Sequence, residues 1–124
     1  MSKTFNELYS GTLNEVFMTR AQQQLENGVD GIACADAYAE QGKPDFTLAH
    51  LLLAEAPDDV KRDMLARSYE RRAELTETKA NSLDQQFHRP FPLVKLEAQK
   101  DRLSAQQVRR GQQIRRGARS LTIN

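Results

Sequence analysis

The side chains best suited to chemistry in this chain are arginines: Arg102, Arg109, Arg110, Arg115, Arg116 and Arg119 crowd its last quarter. A guanidinium stays charged and offers a planar fork of donors that matches carboxylate and phosphate oxygens, so the chemistry is recognition rather than bond making. At about 100° per residue, Leu96, Leu103, Ile114 and Leu121 fall on one stripe, with Gln107, Gly111 and Ala118 beside it. The arginines occupy the rest of the circumference. A six-residue near-repeat, Val108-Arg109-Arg110-Gly111 and Ile114-Arg115-Arg116-Gly117, runs through the segment. The pattern is that of a basic amphipathic helix extending to roughly Arg119, with Arg109, Arg110, Arg115, Arg116 and Arg119 as charged contacts and Leu103, Ile114 and Leu121 as apolar anchors. The plainer alternative is a terminal helix whose stripe packs back on the domain and whose arginines face water.

Other chemistries lack their residues. His50 and His88 lie far apart, outside any H-E-x-x-H or E-x-x-H pattern, and the one cysteine, Cys34, has no cysteine partner for a metal site or a disulfide. Glu70, Glu74 and Glu77 share a helix sector without the histidines that di-iron bundles use. Asp58 and Asp59 fit a helix start, and Ser10-Gly11 has no neighbouring base in sequence. There is no glycine-rich phosphate loop and no nucleophile elbow. We therefore expect no catalytic, cofactor-binding or metal-ligating residues. An enzyme whose groups converge from distant positions ranks third among the readings.

The elements that must carry the arginines sit in an electrically polar chain. Among its 124 residues the formal net charge is +1, yet residues 1–60 carry three cations against ten carboxylates and residues 87–124 carry nine against two. Such asymmetry expects an acidic counterpart for the tail: a partner protein, nucleic acid, or the chain's own first half in the same or a second copy. Nucleic acid is the second reading, because the tail has no aromatic side chains for stacking and the chain no evident helix-turn-helix, zinc-finger or RNA-recognition pattern. No stretch reaches the ~18 apolar residues of a membrane span, and the opening residues lack the apolar run of a secretory signal. With its single cysteine, the chain reads as cytoplasmic.

Apolar spacing is helical throughout, which predicts an all-α fold. Thr4 and Glu7 have capping-box spacing, and Thr12 and Glu15 repeat it, so either one helix runs from Phe5 to Glu26 or a turn at Gly11 hands over to a second; Leu13, Val16, Phe17, Ala21 and Leu25 would be buried. Asp30 caps an alanine-rich helix ending at Gly42. Asp45 caps a short apolar helix with Phe46, Leu48, Leu51, Leu52 and Leu53. Pro57-Asp58-Asp59 opens a long helix to about Gln86, along which Arg67 with Glu70 and Arg71 with Glu74 are spaced to pair. Its apolar positions thin out after Leu75, which leaves the far end to solvent or another chain. Ala35, Tyr38, Gly42, Leu51 and Ala54 resemble in spacing part of a tetratricopeptide repeat; with Thr47 departing from that pattern and no second copy present, the resemblance implies a helical hairpin alone.

Phe87-His88-Arg89-Pro90-Phe91-Pro92 cannot continue a helix. The expected organisation is a small helical bundle or helical-hairpin domain over residues 1–86, a proline–phenylalanine hinge over 87–93 and the basic tail helix over 94–124. Phe91 joins the candidate contact residues, and the hinge permits a swapped homodimer. The function expected is a non-enzymatic interaction or adaptor protein that meets an acidic surface through its tail.

Overall fold

The computed structural model describes residues 3–114. Its helices are α1 (Phe5–Tyr9), α2 (Glu15–Glu26), α3 (Gly31–Glu40), α4 (Pro44–Leu53), α5 (Asp58–Phe87) and α6 (Pro92–Arg109). The protein is all-α, a small bundle of these six helices with no strand among the described residues.

Local signals decide most boundaries. Thr4 Oγ1 accepts from the Glu7 N–H and Glu7 Oε1 accepts from the Thr4 N–H, at 3.2 and 2.9 Å, completing the capping box of α1. A turn then hands over to α2. Its cap is Asn14, whose side chain accepts from the Val16 N–H, whereas the Thr12 hydroxyl donates back to Tyr9 O and so is not the cap. Asp30 caps α3 through the Ile32 and Ala33 N–H groups. At α4 the expected cap is displaced: the helix already begins at Pro44, where no N–H is needed, so Asp45 lies inside the first turn. Pro57 precedes α5, and Asp58 and Asp59 place negative charge at its positive end. Asp58 also accepts from the Phe5 N–H, fastening α1 to the head of α5.

Glycine stops three helices in the same way, at Gly28, Gly42 and Gly111, each with φ near +70 to +84°. In α6 the Gly111 N–H donates to Val108 O and the Gln112 N–H to Gln107 O, the paired bonds of a left-handed C-terminal turn. The helix expected to persist to about Arg119 therefore ends at Arg109. Arg115, Arg116, Arg119 and Leu121 lie outside the described residues.

The core joins Phe5, Leu8 and Tyr9 of α1, Ala35 of α3, Leu48 and Leu51 of α4, Leu65 and Ala66 of α5, and Ala105 and Val108 of α6. The α3–α4 pair forms the hairpin anticipated from its spacing. α2 lies outside it against α4, where Phe17 meets the Phe46 ring edge-on at 5.0 Å. Val16, expected in the buried stripe, is exposed, because α2 is covered on one side only. α5 is three times as long as α3 or α4, roughly 45 Å against 15 Å, and outruns the layer they form. α6 accompanies it back from the turn as far as Glu70 and Asp63, so the stretch beyond Leu75 is paired within the chain.

The layer touches α5 closely at Gly42. A side chain there would meet the Arg72 backbone nitrogen at 2.9 Å, whereas Gly28 has the same positive φ and nothing within 4 Å. Gly28→Ala should cost about 1 kcal/mol of backbone strain, and Gly42→Ala at least about 2 kcal/mol because the clash adds to the strain. Urea unfolding of both variants checks the difference.

Candidate functional site

α5 and α6 pack antiparallel through small residues repeated every seventh position. Ala66, Ala73 and Ala80 on one helix and Ala98 and Ala105 on the other are all buried. Seven residues is close to two helical turns, so each set forms a line along its helix, and side chains no larger than methyl let the backbones approach closely. Where the line reaches the turn, Phe87 and Phe91 continue it and meet edge-on at 5.8 Å. The proline segment thus serves as a tight turn: His88 takes a left-handed φ of 55°, and the Phe91 N–H donates to Asp84 Oδ1 at 3.0 Å.

One buried ion pair fixes the register. Arg72 donates to Asp101 through Nε at 2.9 Å and Nη2 at 2.8 Å, and the Asp101 side chain has no exposure while Arg72 keeps 27%. The fork satisfies both carboxylate oxygens, which offsets the cost of taking that charge out of water. The Arg72 guanidinium lies over the Tyr69 ring at 5.5 Å, and burial pushes the Tyr69 hydroxyl well above its ordinary pKa.

Along the hairpin's flank runs a ladder with the same seven-residue spacing. Lys95 pairs with Asp84 at 2.8 Å, Arg102 with Glu77 as a two-pronged contact that includes Nη2 to Oε1 at 2.6 Å, and Arg109 with Glu70 at 2.8 Å and Asp63 at 3.0 Å. Hydrogen bonding from Arg109 holds the Asp63 carboxyl below its ordinary pKa, and Arg102 does the same to Glu77. These tail cations meet the carboxylates of α5 rather than those of residues 1–60. Glu70 and Glu77, which share a helix sector, are therefore rungs of the ladder. Arg67 and Arg71 also pair differently from expectation. Arg67 reaches Asp36, Glu40 and Asp63, and Arg71 donates to Glu40 O, because the end of α3 lies against this part of α5.

The small-residue seam turns the leucine stripe outward. Leu96 and Leu103 are 40% and 43% exposed, and Leu93 68%. Arg110 is exposed on the following turn, while Arg109 is held in the ladder. Ile114 departs from the stripe and packs, half-buried, against the core, where Gln112 O accepts the Tyr9 hydroxyl at 2.6 Å. Phe91 is half-buried under the Arg89 guanidinium, 5.2 Å from its centroid. The structure thus brings Leu103 and Arg110 to one outer face and sets Arg109, Ile114 and Phe91 elsewhere. Seven-residue alanine spacing was the signal for the inner face.

A second polar cluster lies between α2, α3 and α4. The His50 ring is buried, shares a 2.8 Å hydrogen bond between Nε2 and Gln24 Oε1, and stacks on Tyr38 at 5.8 Å. Burial lowers its pKa, and Nδ1 has no hydrogen-bond partner among the described residues. Cys34 is half-buried, and desolvation raises its thiol pKa, the environment of an inert packing residue. The hollow lined by Glu15, Val16, Thr19, Arg20 and Gln23 is an open depression on α2. No helix among the described residues is long and apolar enough to cross a membrane.

Comparison with known protein families, curated proteins and solved structures yields no match.

Breaking the buried pair should be costly. Asp101→Asn should destabilise by about 2–3 kcal/mol, somewhat less than a fully buried pair because water reaches Arg72. Glu77→Gln should cost no more than about 0.5 kcal/mol, since that rung is exposed. Urea titration separates the two.

Stability should also fall on acidification in two stages. Burial keeps His50 neutral in the fold, while the unfolded ring takes a proton near pH ~6.5, so stability present above that pH is lost as the pH falls below it. Asp63 and Glu77 have depressed folded values, so their contribution is present above about pH 4 and is lost as the pH falls through the folded values. Urea midpoints at pH 7.5 and pH 5 should differ for the natural chain, and His50→Phe should shrink that difference.

Proposed function

We propose that this protein is a non-enzymatic interaction or adaptor module that presents the outer face of α6, together with the arginine-rich segment after it, to a protein partner with an acidic surface. The observation that carries the reading is the outward placement of Leu96 and Leu103 on a helix braced by a buried ion pair and a charge ladder. Large apolar side chains held outward on a rigid support lose little conformational freedom on binding, and that favours their use as anchors. Leu103 and Arg110 are contact residues among those described; Arg115, Arg116, Arg119 and Leu121, outside the described residues, are contact residues on their chemistry alone. Arg109 has a positioning role through Glu70 and Asp63.

Binding of nucleic acid backbones would draw on the same arginines. The ladder favours the protein reading, because Arg102 and Arg109 already have carboxylate partners and so release little on meeting a phosphate. Anisotropy of labelled random DNA and RNA, with the full chain and a version ending at Ile114, tests the choice. The expected result is weak binding that disappears at physiological salt. Micromolar binding that survives there and vanishes on truncation would transfer the function to nucleic acid.

A further inference from the structure

The outer face of α6 carries a second helix-pairing seam. Leu93, Leu96, Lys100, Leu103 and Arg110 recur at alternating three- and four-residue steps, with Lys100 half-buried and the buried Gln107 filling the step between Leu103 and Arg110, and they lie on the side of the helix opposite Ala98, Asp101, Ala105 and Val108. The inner set is consumed by α5. The outer set is exposed at its three leucines, although such positions in a two-helix hairpin ordinarily hold polar side chains. Spacing of this kind fits the apolar edge of another helix, three or four residues to the step.

Charge identifies the occupant. The seam's ionic members are Lys100 and Arg110; Lys100 has only a loose 3.8 Å contact with Glu97, and Arg110 has no ion-pair partner among the described residues. A second copy of α6 laid along the seam in parallel would set each cation against its equal, and an antiparallel one would oppose the two Lys100 side chains. Residues 115–124 of the same chain bring Arg115, Arg116 and Arg119 with no Asp or Glu, and meet the same repulsion. The acidic helices of a second copy supply charge but little apolar surface, Val16 being the exposed apolar side chain of α2. We infer that the seam from Leu93 to Arg110 docks an amphipathic helix of another protein, one with leucine-type residues on its contact edge and carboxylates facing Lys100 and Arg110.

This inference rests on the interaction reading above and narrows it to one face and one partner chemistry. The test uses the full chain with two labelled synthetic helical peptides of identical leucine spacing, one flanked by glutamates and one by lysines, read by anisotropy at physiological salt. The glutamate peptide should bind, the lysine peptide should not, and Leu96→Gln with Leu103→Gln should weaken binding by at least about tenfold, as loss of two anchors does. Both leucines are exposed, so the doubly substituted chain should keep its circular dichroism and urea midpoint, which separates lost docking from lost folding. Failure of both peptides to bind, or equal binding of the two, overturns the inference. Binding that ignores the two leucines but vanishes when the chain ends at Ile114 also overturns it, while leaving the interaction reading on the arginine-rich segment. Tighter binding after that truncation would show the chain's own terminus to be the occupant instead.

Discussion

The close antiparallel packing of α5 on α6 is the constraint on which the rest of the molecule depends. Alanines at every seventh position bury little area each, so the contact's strength comes from backbone proximity and from what that proximity brings together. Arg72 and Asp101 illustrate this. In water their pairing would be worth little; between two closely spaced helices the bidentate geometry is held open on one side only, and a one-turn slip would leave Asp101 buried without its partner. Register is therefore set by the penalty for error. The ladder of Asp84, Glu77 and Glu70 against Lys95, Arg102 and Arg109 repeats that choice along the surface at modest energies.

From this register follow both the core and the exposed face. It places Ala105 and Val108 beside Phe5, Leu8 and Tyr9, so the short α1, too small to be stable alone, is clasped between α4, α5 and the end of α6. It also points Leu96 and Leu103 away from the domain. α2, at the opposite edge, is attached by Phe17 on Phe46 and by the Gln24–His50 bond, a smaller and more titratable set of contacts than those of the hairpin. The fold thus combines a rigid two-helix support with a lightly fastened outer helix.

Much of the scaffold was legible in the chain. The Thr4–Glu7 box, Asp30, Gly42 and Pro57-Asp58-Asp59 act through bonds within a few residues, so they read directly as helix punctuation. The orientation of α6 did not. Its leucines outweigh its alanines on any scale of apolar size, and the stripe through Leu96 and Leu103 drew attention to what proves to be the outer face. Close helix pairs invert that weighting, because a methyl group admits the neighbouring backbone and a leucine holds it off. The carboxylates of α5 were likewise visible as a row, but their meaning required the antiparallel partner that places Lys95, Arg102 and Arg109 opposite. Gly111 falls beside the stripe of a helix that the spacing extends to roughly Arg119, whereas its positive φ ends the helix.

Native-state hydrogen exchange, resolved by residue, tests the pairing of α5 and α6 most directly. If α6 is packed as a register-locked partner, amides from about Ala98 to Val108 should exchange with the same high opening free energy as those from Ala66 to Ala80, because one event must expose both. Exchange of α6 amides near unstructured-peptide rates, with α5 still protected, would contradict the account, since neither the buried Arg72–Asp101 pair nor the outward leucine face would then exist in solution.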